Sequence, residues 1–189
     1  MSGRRLRTVV ADTSALVSLA AARADAAVGT DVPDPFQYLL TSCEMFVPPD
    51  VVAELRDITQ YQDIHAAAAR TLLAARGHYA VEDPYERDET PDSRPTFGLD
   101  DGETDGIVLA NVLDVDGFLT DEFGGTNFPL IHAVLQGPRI VPTPRLIVDY
   151  ARNEHLSHEE ARTLIMTISP HRSWENSPYV TQLLNRLDE

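Results

Sequence analysis

A short apolar run that ends on an acid and passes directly into a helical pattern appears near the start of this chain. Val9-Val10-Ala11 leads into Asp12, then the hydroxyls of Thr13 and Ser14, then the apolar periodicity beginning at Ala15-Leu16. The pattern predicts a strand over 7–11 and a helix over 13–22, with Asp12 at the mouth of the turn and Asp12 or Thr13 capping the helix. Open α/β sheets hold their ligands at such turns.

The same succession recurs along the chain. A loop from Ala24 to Pro35 and a helix over 34–42 lead to the strand Met45-Phe46-Val47. Pro48-Pro49-Asp50 then opens a helix with proline in its first turn, which carries Val51, Val52, Leu55 and Ile58 at helical spacing together with Glu54. A helix over 63–76 is expected to stop at Gly77 as a C′ residue, and Tyr79-Ala80-Val81 reads as a short strand. Residues 82–100 are charged and aperiodic, with Pro84, Pro91 and Pro95, and read as a long loop.

Asp100-Asp101-Gly102-Glu103 opens the next helix, through about Asn111, with acids where the helix dipole favours them. Gly117-Phe118-Leu119-Thr120 is a buried strand running into Asp121-Glu122. Gly124-Gly125 turns the chain into a helix over 128–135, and Arg139-Ile140-Val141 is the last strand. Three helices follow, over 144–153, 157–168 and 177–187, the second opened by the capping box Ser157-His158-Glu159-Glu160. The expected fold is α/β, a three-layer sandwich around a parallel sheet over 1–142, with a helical extension over 143–189 packed on it or mediating association.

Three acids or acidic groups fall at the ends of strands or the starts of the following helices: Asp12, the Asp100–Asp105 group, and Asp121 with Glu122. Glu54 joins them from inside a helix. A parallel sheet brings such positions to one edge, and packed carboxylates raise each other's pKa unless a cation neutralises them. Mg²⁺ and Mn²⁺ take oxygen ligands, keep several waters and need few carboxylates, whereas zinc prefers Cys and His.

These segments resemble the PIN-domain metal-dependent nucleases. The likeness rests on Val9–Leu16, Val47-Pro48-Pro49-Asp50-Val51-Val52-Ala53-Glu54-Leu55, Asp101-Gly102-Glu103-Thr104-Asp105-Gly106-Ile107-Val108-Leu109-Ala110 and Phe118-Leu119-Thr120-Asp121-Glu122, in the family's order and covering roughly residues 7–141. The resemblance implies a divalent-metal-dependent endoribonuclease with Mg²⁺ or Mn²⁺ as cofactor. By position, Asp12, Glu54, Glu103 and Asp121 would be its catalytic acids and Asp12, Glu103, Asp105 and Asp121 its metal ligands, with Ser14 and Thr120 orienting them. Glu103 and Asp105 compete for one role because residues two apart on a helix face different ways, and Glu122 competes with Asp121. Gly106 stands where the family favours Ala, which would loosen the first turn.

Charge bears on the partner. There are 30 acidic residues against 15 basic ones, all Arg, for a net charge of −15. Phosphate binding normally uses Lys and Arg, so this balance argues against nucleic acid at low salt. At about 1 M salt the Debye length is roughly 3 Å and local contacts decide; a Lys-free acidic chain fits a halophilic, high-salt cytoplasm. Cys43 is the only cysteine, and no apolar run approaches the roughly 20 residues of a membrane span. Arg4, Arg5 and Arg7 lead into a strand-length run, not a signal sequence. The expected partners are RNA, single-stranded or structured, and, for association, a second copy of the chain, an antitoxin or another protein; no membrane is expected. Two alternatives stand beside the nuclease: a weakly active or inactive PIN-like scaffold serving protein contacts, and the toxin ribonuclease of a toxin-antitoxin pair.

Plainer readings compete at each position. Asp12 and Ser157 are also ordinary helix caps, and Glu54 an ordinary solvated helix residue. His155 and His158 lack a Cys partner and read as surface histidines. Trp174 and Tyr179 are expected to pack against the body of the protein.

Overall fold

The computed structural model describes residues 6–24, 32–87, 90, 93–123 and 126–188. Five strands, β1 (Thr8–Ala11), β2 (Glu44–Val47), β3 (Ala80–Val81), β4 (Gly117–Leu119) and β5 (Arg139–Val141), form one sheet in the order β3-β2-β1-β4-β5. Every pairing is parallel, with Val10 opposite Phe46 on one side and Phe118 on the other.

Side chains of a strand alternate between the two faces of the sheet, and β1 divides its residues accordingly. Val9 and Ala11 belong to one apolar cluster and Val10 to another; Leu119 and Phe118 of β4 separate in the same way. The Val10 face is covered by α5 (Asp101–Leu113) and α6 (Asn127–Val134) through Ile107, Leu109 and Ile131. The opposite face is covered by α1 (Thr13–Ala24), α2 (Pro35–Ser42), α3 (Pro49–Ile58) and α4 (Ile64–Ala74). The result is the expected three-layer α/β sandwich.

α1 is buried continuously from Ala15 to Ala22, as befits a helix apolar on all sides. It packs on α4, whose small residues Ala68 and Ala69 lie in the same apolar cluster as α1. The last three helices, α7 (Thr143–Arg152), α8 (His158–Arg172) and α9 (Pro178–Asn185), place Ile147, Leu164, Ile165, Ile168 and Leu183 in the same cluster as α1. Both bonds of the Ser157–Glu160 capping box are present at the start of α8.

Gly77 does not end α4 in a left-handed conformation. The helix stops at Ala74 and tightens into a 3₁₀ turn over Arg76–His78, with His78 N donating to Ala75 O at 2.9 Å. The turn satisfies the helix-end carbonyls by shorter-range bonds, so no residue with positive φ is needed. Among its described residues the long loop contains one further 3₁₀ turn, Pro84–Glu86. Gly106 also gains a reason: a Cβ there would lie 2.9 Å from Cε2 of Phe118, so its absence lets α5 lie on β4. The turn expected at Gly124-Gly125, residues 25–31 of the loop expected after α1, Pro91, Arg4 and Arg5 lie outside the described residues.

Candidate active site

From β1 the chain moves to β2 and β3 on one side of the sheet, then crosses to β4 and β5 on the other. The direction therefore reverses between β1 and β4, where open α/β sheets form their crevice beyond the carboxyl ends of the strands. Asp12 follows β1 and Asp121 follows β4 by two residues, so both acids stand at this point.

Ser14 joins them. Its hydroxyl donates to Asp12 Oδ1 at 2.8 Å and accepts from the backbone N–H of Asp121 at 2.9 Å. Asp12 Oδ1 also accepts from Ala15 N at 2.9 Å, so the same oxygen caps α1. Asp121 is held by the Ser18 hydroxyl on Oδ2 and by the backbone N–H of Thr143 on Oδ1 at 2.8 Å.

Burial is the main influence on both groups. It pushes Asp12 up to about 7, against the opposing hydrogen bonds of Thr120, Ala15 and Ser14, and the neighbouring Asp121 charge adds to the rise. It pushes Asp121 up to about 6, against hydrogen bonds from Ser18 and Thr143 and the positive charge of Arg172. Thr120 thus supports Asp12 through its hydroxyl, which also accepts from Glu122 N at 3.2 Å.

Two more acids approach, Glu54 from within α3 and Glu103 from the first turn of α5. Glu54 of α3 accepts from the Thr13 hydroxyl, and burial raises its pKa, with the charges of Asp100 and Asp50 adding to the effect. Glu103 completes a capping box with Asp100, Glu103 N donating to Asp100 Oδ1 at 2.7 Å, and its carboxylate accepts from Asn127 Nδ2 at 3.1 and 3.3 Å. Burial and the Asp100 charge raise its pKa as well.

These groups line a cleft of about 200 Å³ whose polar wall comprises Asp12, Thr13, Ser14, Glu54, Asp100, Glu103, Glu122 and Arg172. Of the competing pair on α5, Glu103 faces this cleft. Asp105 does not: it is gripped by Arg94, at 2.8 Å from Nε and 2.6 Å from Nη2, and by the Tyr85 hydroxyl at 2.6 Å. Glu122 reaches the cleft wall, whereas both carboxylate oxygens of Asp121 are engaged behind it. Thr13, which the sequence offered only as a helix cap, and Arg172 are wall residues that sequence reasoning did not select as site residues; Asp100 entered it as part of the Asp100–Asp105 group without a role of its own. Asp100 carried a signal as the N-cap of α5, but Arg172 carried none, because only the fold brings the end of α8 to this edge.

The donor chemistry fits a hard divalent cation. Among the described residues the cleft offers carboxylate oxygens without thiolate or imidazole, and burial raises the pKa values of Asp12, Glu54 and Glu103, which a cation would relieve. Among the described residues, no three His, Cys, Asp or Glu side chains are gathered into a ready metal-binding group. His155 rests on the Tyr38 ring at 4.4 Å, and Trp174 packs near Phe123 at 5.9 Å. No helix among the described residues is long and apolar enough to cross a membrane. In comparisons with known proteins, the chain matches no protein-family model, no curated protein and no solved structure.

Proposed function

We propose that this chain is a divalent-metal-dependent endoribonuclease of PIN-like type that hydrolyses RNA phosphodiester bonds. The observation that carries the reading is the convergence of Asp12, Glu54, Glu103 and Glu122 on one cleft at the switch point of a parallel sheet. Asp12 and Glu103 would hold Mg²⁺ or Mn²⁺, with Glu122 as the reachable acid after β4. Bound there, the cation supplies charge neutralisation and acidifies water for attack on phosphorus.

The chain's own residues do the rest. Ser14 and Thr120 orient Asp12 by hydrogen bonding, and Asp121 fixes the geometry of the Ser14 link through its backbone N–H. Glu54, half-buried with a raised pKa, is suited to take a proton from the attacking water. As the new P–O bond forms, the ester bond to the leaving oxygen breaks, and that oxygen gains a proton from solvent.

The test is cleavage of single-stranded RNA by purified protein in high KCl with Mn²⁺. Activity should require the metal and vanish in Asp12→Asn, which keeps an acceptor for Ser14 and Ala15 but loses the charge. Full activity in that variant overturns the reading. A second reading, an inactive scaffold for protein contacts, draws on the lack of a gathered three-residue metal group among the described residues. Calorimetric titration with Mn²⁺ separates the two: the scaffold binds none.

A further inference from the structure

Arg172 ends α8, and its Nε is buried with no hydrogen-bond partner among the described residues. It is also the cation among the described residues that line the cleft, together with Asp12, Glu54, Asp100, Glu103 and Glu122, and its charge acts on the buried Asp121. A guanidinium donor removed from water and left without an acceptor is costly, and such a group calls for an explanation in terms of what it binds.

An ordinary explanation is that arginine in the last turn of a helix complements the helix dipole. That accounts for a solvated cation near the final carbonyls, not for a buried and unpartnered Nε in a residue that lines an acidic cleft. Nor is the side chain's root loose. Ile168 lies one turn before it in the core, Trp174 is buried two residues after it, and the neighbouring His171 carbonyl meets His65 Nε2 at 3.1 Å. The backbone that carries the guanidinium is therefore fixed before any ligand arrives, which lowers the cost of ordering the side chain on binding.

We infer that Arg172 is the substrate's phosphate-binding residue: its guanidinium takes a non-bridging oxygen of the RNA phosphodiester at the cleft. The assignment rests on the nuclease reading of the same site. It answers the charge problem locally, since carboxylates alone repel a phosphate. Arginine suits this place better than lysine because its planar fork presents paired donors to phosphate oxygens.

The test uses a fluorescein-labelled single-stranded RNA hexamer, with binding measured by anisotropy in 1 M KCl. Ca²⁺ replaces Mn²⁺, and gels confirm that the probe stays intact. Arg172→Gln should weaken hexamer binding by about tenfold or more, and Arg172→Lys by less, since it keeps the charge but loses Nε. Calorimetry should show Mn²⁺ affinity unchanged or tighter in both variants, because a neighbouring cation has been removed or kept, not a ligand. Equal hexamer affinity in Arg172→Gln and wild type overturns the assignment, as does a wild type that binds no hexamer. A joint loss of hexamer and Mn²⁺ binding also overturns it, making Arg172 a support of the fold. The nuclease reading fails separately, when the hexamer binds through Arg172 but Mn²⁺ supports no cleavage.

Discussion

Asp12 serves two ends that oppose each other: its Oδ1 caps α1, while its charge is buried beside Asp121 without an ion-pair partner at contact distance among the described residues. Its pKa is raised from 3.8 to about 7, and that of Asp121 from 3.8 to about 6. Between these limits the folded chain keeps protons that the unfolded chain has released, so the stability these two groups contribute is fully present below about pH 4 and is lost as pH rises toward 7. For Asp12 the loss is at most on the order of 4 kcal/mol, a large part of the roughly 5–15 kcal/mol that holds a domain folded. In EDTA the melting temperature should therefore drop between pH 5 and pH 8; Asp12→Asn should flatten the drop, and Mn²⁺ added at pH 8 to wild type should reverse it. A metal-free melting temperature that does not vary over this range contradicts the burial argument. Gly102 makes a separate demand: a Cβ there would lie 2.5 Å from Glu54 Oε1. The side chain is the movable partner, so Gly102→Ala should displace the Glu54 carboxylate and leave the backbone in place. Alanine also favours the helix by about 1 kcal/mol. The variant should melt no lower than wild type yet lose about a hundredfold in metal-dependent cleavage, the scale expected for misplacing a reacting group by an ångström.

Two helices carry acids that line the cleft, α3 with Glu54 and α5 with Glu103, and Arg94 of the long loop ties them together. Its guanidinium meets Asp50 of α3 at 2.8 Å, and Asp101 and Asp105 of α5 at 2.6 Å each. Asp105 is buried, whereas Arg94 is about a third exposed, so breaking the pair should cost less than the 3–5 kcal/mol of a fully buried one, about 2 kcal/mol. Arg94→Gln should lower the urea midpoint accordingly, and Arg94→Gln with Asp105→Asn should recover most of the loss, because no unpaired buried charge remains. Failure of the double variant to recover would show that Arg94 acts through Asp50 and Asp101. This clamp also marks how far the sequence could be read. Strand ends and helix caps have local signatures, so Asp12, Glu103 and Asp121 could be placed at the sheet edge from the sequence. Arg94 sits in an aperiodic loop, and its three partners lie on elements whose spacing only the tertiary fold decides. The choice between Glu103 and Asp105 was open for a related reason: two positions on a helix differ by about 200° of rotation, and which side meets the cleft depends on how α5 lies over Phe118 and Gly106.

At the scale of the molecule, the last three helices are part of the site's construction. Thr143, the first residue of α7, donates its N–H to Asp121; Arg172 of α8 lines the cleft; and Phe123, just after the β4 acids, packs on Trp174 and on Tyr179, 5.0 Å away. A boundary at residue 142 was suggested by the change from alternating elements to helices alone, and that composition signal says nothing of the shared apolar cluster beneath α7, α8 and α1. The whole chain carries a net charge of −15 without a lysine. Such a surplus strains the folded state by self-repulsion, and salt relieves it as the Debye length shrinks from about 10 Å at 0.1 M to 3 Å at 1 M. The urea midpoint should consequently rise with KCl over this range. RNA affinity should behave unlike that of a protein that releases counterions from a basic surface, which with 6–10 phosphate contacts loses roughly 10³–10⁵ in affinity between 50 and 200 mM salt. On the nuclease reading, the approach would be repulsive overall and the attraction confined to the cleft, so hexamer binding at 1 M KCl should equal or exceed binding at 0.1 M. A thousandfold fall would mean that a continuous path of arginines, and not the local cleft, holds the strand.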